Sequence, residues 1–140
     1  MIVATLLGIA GFIYVLLGTL HALYTALDIR KPRRIVPDDP AVIAAMQNSK
    51  IRLTRGQSTM WQGWVGFNFS HSLGAVFFGA AICFIAATRE SNALPPWVLP
   101  VLTIVSTAYL SLALKYWFRI PVLGTALATL CLAAAWALTL

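Results

Sequence analysis

Charged side chains are scarce in this chain. Asp, Glu, Lys and Arg make up 10% of its 140 residues, whereas hydrophobic residues make up 60%. A soluble domain normally carries about 25% charged residues, so this composition excludes one. We predict a single transmembrane domain, residues 1–140, with room for about four spanning helices of ~20 residues each.

Cysteine is also scarce, and its placement excludes one class of site. Cys83 and Cys131 lie in separate apolar segments, with no Cys-x-x-Cys pair. A redox motif or a zinc site built on cysteine is therefore unsupported, and both thiols are interpreted as small buried apolar side chains.

Acidic residues number four against ten Lys and Arg, a net charge of +6. Seven of the ten cations lie in the connector 28–58, which holds three Asp and has a net charge of +4. Cations concentrated between hydrophobic segments fit the positive-inside rule better than a nucleic-acid surface, so we expect no nucleic-acid partner.

Four apolar runs indicate four spans, at about 2–27, 59–88, 97–118 and 121–140. No Lys or Arg precedes the first run, so we interpret it as a retained helix and not a signal peptide. The turn at 89–96 carries no net charge, and Pro121 marks a tight reversal before the fourth span.

The connector contains one helix signal. Asp39 followed by Pro40 is a typical helix start, and four residues then recur at helical spacing: Ile43, Met46, Lys50 and Leu53. This pattern predicts a short amphipathic helix at the headgroup surface, ended by Gly56, with Ser58 able to cap the next helix. The expected fold is all-α: an integral membrane four-helix bundle with this interfacial helix between helices 1 and 2.

The distribution of cations also predicts orientation. The first and third connections hold seven and two Lys/Arg and the second holds one, so the first and third should face the cytoplasm. We expect a multi-pass protein of the bacterial inner (plasma) membrane, in contact with membrane lipids, with both termini non-cytoplasmic.

Polar residues share faces on three of the spans. The face that carries them holds Tyr14, Gly18, His21, Thr25 and Asp28 on the first span, Trp64, Asn68, His71, Ala75 and Phe78 on the second, and Ser106, Tyr109 and Tyr116 on the third. At 1.5 Å per residue, His21, Asn68, Tyr109 and His71 lie about 10 to 16 Å from the cytoplasmic ends. These four side chains therefore form a candidate intramembrane cluster.

Three interpretations of this cluster are open. It is a structural hydrogen-bond network, a haem or metal site with His21 and His71 as ligands and Asn68 or Asp28 behind them, or a lipid or isoprenoid pocket with His71 as acid or base. No carboxylate in the spans completes a catalytic pair, which favours binding over catalysis.

Beside the cluster runs a stripe of small residues, Gly66, Ser70 and Gly74, about 100° around the helix axis from His71. Small residues four apart let another helix backbone approach closely, so these three are predicted to be helix-packing positions.

The pattern Gly63-Trp64-x-Gly66-Phe67-Asn68-x-Ser70-His71-x-x-Gly74 resembles a family of small four-helix bacterial membrane proteins. Gly18-x-x-His21 upstream and Tyr116-Trp117-Phe118-x-x-Pro121 downstream extend the resemblance over most of the chain. The family has no assigned function, so the resemblance implies four helices and no activity.

The leading expectation is a non-enzymatic accessory or scaffold subunit that packs in a homo-oligomer or a larger membrane complex, with a cluster that is structural or binds a small ligand. The alternative is a haem- or metal-binding redox protein, or a lipid-modifying one, that uses His21 and His71. Transport comes third, because four spans are few for a carrier and no charged pore lining repeats.

Overall fold

The computed structural model describes residues 1–88 and 94–140, and this part of the chain is all-α. Its four long helices are α1 (Ile2–Arg30), α3 (Met60–Thr88), α4 (Val98–Tyr116) and α5 (Arg119–Ala137). All four are long and apolar enough to cross a membrane, which confirms the predicted fold class. Residues 89–93 of the turn expected at 89–96 lie outside the described residues.

Six of the eight helix ends differ from the sequence-based bounds, by one to three residues. Helix α1 continues to Arg30, three residues past the predicted end. Helix α5 begins at Arg119, so that Pro121 lies in its first turn and the reversal falls at the extended residues Trp117 and Phe118. Proline fits the first turn because the backbone N–H groups there have no partner within the helix.

The connector contains the short helix α2 (Pro40–Asn48), which begins as predicted. The carboxylate of Asp39 accepts the backbone N–H of Ala41 at 2.8 Å, and Pro40 occupies the first turn. Within α2, Ile43 and Met46 are half-buried while the other residues are exposed, which is the expected amphipathic pattern.

Helix α2 ends earlier than the spacing predicted. The backbone turns extended at Ser49, so Lys50 and Leu53 lie beyond the helix, Leu53 within a 3₁₀ turn at Arg52–Thr54. The reason is pairing with the chain that returns to α3: the N–H of Ile51 donates to the carbonyl of Ser58, and the N–H of Met60 donates to that of Ser49, both at 2.9 Å. These bonds replace the helical ones that a longer α2 would have made.

The described chain separates into two compact units. The first comprises residues 1–17 and 75–140, and the second comprises residues 18–74. The first unit contains parts of all four long helices around an apolar core. That core includes Leu7, Ala10, Tyr14, Ile82, Leu99, Leu102, Ala128, Cys131, Leu132 and Ala135.

Within the first unit, two glycines bring the backbones of α1 and α3 together. A Cβ atom at Gly11 would lie 2.7 Å from the carbonyl oxygen of Gly79, and one at Gly79 would lie 2.5 Å from that of Gly11. No side chain fits at such distances, so this crossing depends on glycine at both positions.

A chain of hydroxyl groups links three helices of the first unit. The Oη of Tyr14 lies 2.8 Å from the Oγ of Ser106, which lies 2.8 Å from the Oγ1 of Thr129. Thr129 donates to the carbonyl of Thr125 at 2.7 Å, so it accepts from Ser106, and Ser106 in turn accepts from Tyr14. Each of these three hydroxyls therefore donates one bond, which satisfies its donor without water.

In the second unit, a buried carboxylate shapes the start of the connector. The side chain of Asp28 is fully buried and accepts the backbone N–H groups of Arg33, Arg34 and Ile35 at 2.9 to 3.2 Å. The guanidinium of Arg34 lies 3.6 Å away and is partly exposed. Since buried carboxylates are costly unless they are hydrogen-bonded, these N–H groups are what allow Asp28 to lie inside.

Candidate functional site

The first turn of α3 positions the polar face of this helix. Thr59 and Gln62 exchange bonds: the N–H of Thr59 donates to the Oε1 of Gln62 at 2.8 Å, and the N–H of Gln62 donates to the Oγ1 of Thr59 at 3.2 Å. This reciprocal capping box satisfies two backbone donors at the helix start. The cap is therefore Thr59 and not the predicted Ser58, because the side-chain oxygen of Thr59 accepts the backbone N–H of Gln62.

Asn68 and His21 meet across α3 and α1 in the second unit. The Oδ1 of Asn68 lies 2.8 Å from the Nε2 of His21, and the Nδ2 of Asn68 donates to the carbonyl of Trp64 at 2.7 Å. The bond to a carbonyl requires the NH₂ end of the amide, which leaves its oxygen facing the imidazole. His21 therefore carries a proton on Nε2 and is the donor in this bond.

His71 lies one helical turn beyond Asn68 and beside the same histidine. The ring centroids of His21 and His71 are 5.4 Å apart in an edge-to-face arrangement, and the ring of Phe67 lies 6.3 Å from His71. Both imidazoles are half-buried, and Asn68 is 8% exposed. The spacing of three and four residues along α3 thus brings three of the predicted cluster residues together.

Neighbouring hydroxyl groups occupy backbone carbonyls around this cluster. Thr25 donates to the carbonyl of His21 at 2.9 Å, and Ser72 donates to that of Asn68 at 2.8 Å. Both hydroxyls are buried. Each therefore satisfies its polar group within its own helix, as threonine and serine in apolar helices do.

Tyr109, the fourth predicted cluster residue, lies in the first unit. Its ring packs 5.4 Å from that of Tyr14 and 6.0 Å from that of Phe78. Tyr14 also begins the hydroxyl chain to Ser106. Helical spacing places Tyr14 and Ser106 on the polar faces of their helices. It does not tell that these two faces meet, which only the folded structure shows.

The predicted packing stripe lies on the outside of the second unit. Gly66, Ser70 and Gly74 are all exposed, and a Cβ atom at Gly66 would meet nothing within 4 Å. The hydroxyl of Ser70 donates to the carbonyl of Phe67 at 2.9 Å. The close approach of helices within the chain uses Gly11 and Gly79 instead, and neither was singled out from the sequence.

The donor set around the histidines is small. In residues 1–88 and 94–140, no three or more His, Cys, Asp or Glu side chains are grouped so that they could hold a metal ion. A ligand at the Nε2 of His21 would have to displace Asn68. The arrangement as it stands joins two helices through a hydrogen bond and a ring contact.

The fold defines the chain as an all-α, multi-pass membrane protein with four membrane-length helices. Comparison with protein families, with curated proteins and with solved structures found no match to this chain. The resemblance to small four-helix bacterial membrane proteins therefore stays a prediction.

Proposed function

We propose that this chain is a non-enzymatic scaffold or accessory subunit of the bacterial inner membrane. It packs through Gly66, Ser70 and Gly74 of α3 against a second copy of itself or against a larger membrane complex. The observation that carries this proposal is the exposure of all three residues, with open space at Gly66.

The contrast with the buried glycines supports this role. Gly11 and Gly79 are buried because the backbone of another helix of the same chain lies against them. Lipid chains are as apolar as leucine, so helices associate in a bilayer mainly through close packing and interhelical hydrogen bonds. An exposed surface of small residues supplies the first of these to a helix from outside the chain.

The experiment is the substitution Gly66→Leu, with Gly8→Leu as its matched control. Both positions lie in spanning helices and have open space at Cβ, so the first side-chain carbon is accommodated at each. We expect Gly66→Leu to weaken association about tenfold, or roughly 1.4 kcal/mol, because the larger side chain holds backbones apart. Light scattering in mild detergent and cross-linking in native membranes measure the assembly.

Two outcomes would contradict the proposal. One is native assembly in both Gly66→Leu and Gly74→Leu variants. The other is a wild-type protein that is monomeric in membranes and co-purifies with no larger membrane protein. Unchanged helicity of the Gly66→Leu protein would show that any loss of assembly is not a loss of fold.

The second candidate function uses His21 and His71 as ligands for a haem or metal, or as proton carriers toward a lipid or isoprenoid. The 5.4 Å separation of the two rings favours it, whereas the bond from Nε2 of His21 to Asn68 favours a structural cluster. A Soret band or stoichiometric metal in gently purified protein would support this candidate over the scaffold.

A further inference from the structure

Residues 52–56, here called the basic tip, form the end of a closed loop between α2 and α3. Two backbone bonds close its base, between Ile51 and Ser58 and between Met60 and Ser49. Inside it, the hydroxyl of Thr54 donates to the carbonyl of Ile51 at 2.8 Å and accepts the N–H of Ser58 at 3.1 Å. The conformation of the loop is therefore held by bonds within the chain itself.

The turn at the end of the basic tip uses an uncommon backbone conformation. Arg55 has φ 50° and Gly56 has φ 86°, both in the left-handed region. Glycine adopts this region freely, but a long side chain such as arginine rarely does. The turn holds Arg52, Leu53 and Arg55 at the far end of the loop, and all three are exposed.

Leu53 is 93% exposed, more than any other large apolar side chain of the described residues apart from the two chain termini. Apolar residues on the spanning helices face lipid tails, which accounts for their exposure. Leu53 lies in the polar connector, where that account does not apply. An apolar side chain held out from a rigid loop indicates a surface into which it inserts.

The charge around Leu53 identifies the surface. Lys50, Arg52 and Arg55 flank it, and the sequence contains no Asp or Glu between residues 41 and 88. Basic residues beside a spanning helix are attracted to anionic headgroups, and the attraction falls off within a Debye length. An apolar side chain between two arginines matches a layer of lipid phosphates above apolar acyl chains.

The base of the loop adjoins the N-terminal end of a membrane-length helix. Helix α3 has 29 residues, about 44 Å at 1.5 Å per residue, which exceeds the ~30 Å hydrocarbon core. A helix of this length extends beyond the core unless it tilts, and the loop is attached at its N-terminal end. The side chain of Ile51 packs on Gly63 in the first turns of α3, at 2.6 Å from where a Cβ atom would lie.

We propose that the basic tip is a preformed anchor that inserts Leu53 into the headgroup layer of an anionic bilayer, with Arg52 and Arg55 on lipid phosphates. This anchor is independent of the packing stripe on α3. Its ligand class is the anionic phospholipid.

The test places a polarity-sensitive fluorophore at Leu53. The native thiols are first removed as Cys83→Ala and Cys131→Ala, and Leu53→Cys is then labelled and reconstituted at full length. Vesicles of phosphatidylcholine alone are compared with vesicles that also contain phosphatidylglycerol. We expect a blue shift of the emission and several-fold weaker quenching by aqueous acrylamide, a neutral quencher, in the anionic vesicles.

Charge variants separate the tip from the rest of the connector. Arg52→Gln with Arg55→Gln should abolish the blue shift, whereas Lys31→Gln with Arg33→Gln removes the same charge elsewhere and should retain it. Equal emission in both lipids would overturn the proposal, as would a shift that survives loss of Arg52 and Arg55. A label that acrylamide quenches equally in both lipids would overturn insertion and leave the tip as a surface for a soluble partner.

Discussion

At the scale of single residues, the amide of Asn68 joins two helices. Its two ends are committed differently, the NH₂ group to a carbonyl of its own helix and the oxygen to His21 on α1. This division fixes the tautomer of His21 and the rotation of α3 about its axis relative to that histidine. Asn68 is therefore a candidate for a structural role.

A double-mutant cycle between His21→Leu and Asn68→Leu measures this bond. We expect a coupling free energy of about 1 kcal/mol, because interhelical hydrogen bonds in membranes contribute at most ~2 kcal/mol. The loss of the Asn68 bond to Trp64 is common to both arms and cancels. Reversible unfolding in mixed micelles gives the four stabilities.

The control cycle pairs His21→Leu with Ser70→Ala. Ser70 is exposed and its hydroxyl bonds to the carbonyl of Phe67 in its own helix, so its coupling to His21 should be near zero. A His21–Asn68 coupling no larger than this control would mean that the hydrogen bond does not stabilise the fold.

At the scale of elements, the contact between α1 and α3 in the first unit depends on two glycines that face each other. A Cβ atom added at either glycine would lie within 3 Å of the carbonyl oxygen of the other glycine. Carbonyl oxygens cannot move without bending a helix, so the two helices would have to separate. The separation would loosen the packing of Tyr14, because the Cβ of Tyr14 lies 2.9 Å from where a Cβ atom of residue 79 would be.

We predict that Gly79→Ala destabilises the protein by about 1–3 kcal/mol, the usual cost of overpacking. Gly8→Ala makes the same chemical change in a spanning helix with open space at Cβ, and should be neutral or stabilising because alanine favours helix. The two variants are compared by the mole fraction of denaturing detergent at which half of the protein is unfolded. Equal midpoints for the two variants would contradict the close crossing.

Hydropathy predicted the four long helices to within about three residues at each end. Long apolar runs have one solution in a bilayer, because every backbone group must be bonded within the segment. The end of α2 at Asn48 was missed because it depends on Ser49 and Ile51 bonding to residues near α3, which helical spacing does not encode.

The cluster was predicted in part, for a related reason. Spacing along one helix put Asn68 and His71 on a single face, and comparable depth added His21. The glycines of the closest helix crossing were missed because small residues occur on several faces, and only the packed structure tells which faces meet. Gly66, Ser70 and Gly74 carry the sequence signal, whereas Gly11 and Gly79 make the contact.

At the scale of the whole molecule, the cations are distributed unevenly between the connections. The connector 28–58 holds seven of the ten Lys and Arg residues. Basic loops are retained on the cytoplasmic side during insertion, and an even number of spans returns the chain to the side on which it began. We therefore propose that both termini lie outside the cytoplasm.

Reporter fusions test this orientation. Alkaline phosphatase fused after Leu140 should be active, because this enzyme folds only outside the cytoplasm. A fluorescent protein fused at the same place should be dark, because it folds only inside the cytoplasm. Fusions after Gln57, within the connector, should show the reverse pattern and serve as the control. Fluorescence at the C-terminal fusion would contradict the proposed topology.

At the start of the connector, backbone atoms determine the path of the chain, whereas side-chain atoms carry the positive charge. Asp28 holds the chain at residues 33–35 through backbone N–H groups, which every amino acid except proline possesses. The exposed side chain of Arg33 is thus exchangeable without loss of these bonds, whereas that of Arg34 also lies 3.6 Å from the carboxylate of Asp28. Charge near the membrane can be removed or reversed at Arg33 through substitution alone, while the path of the backbone is maintained by one carboxylate on α1.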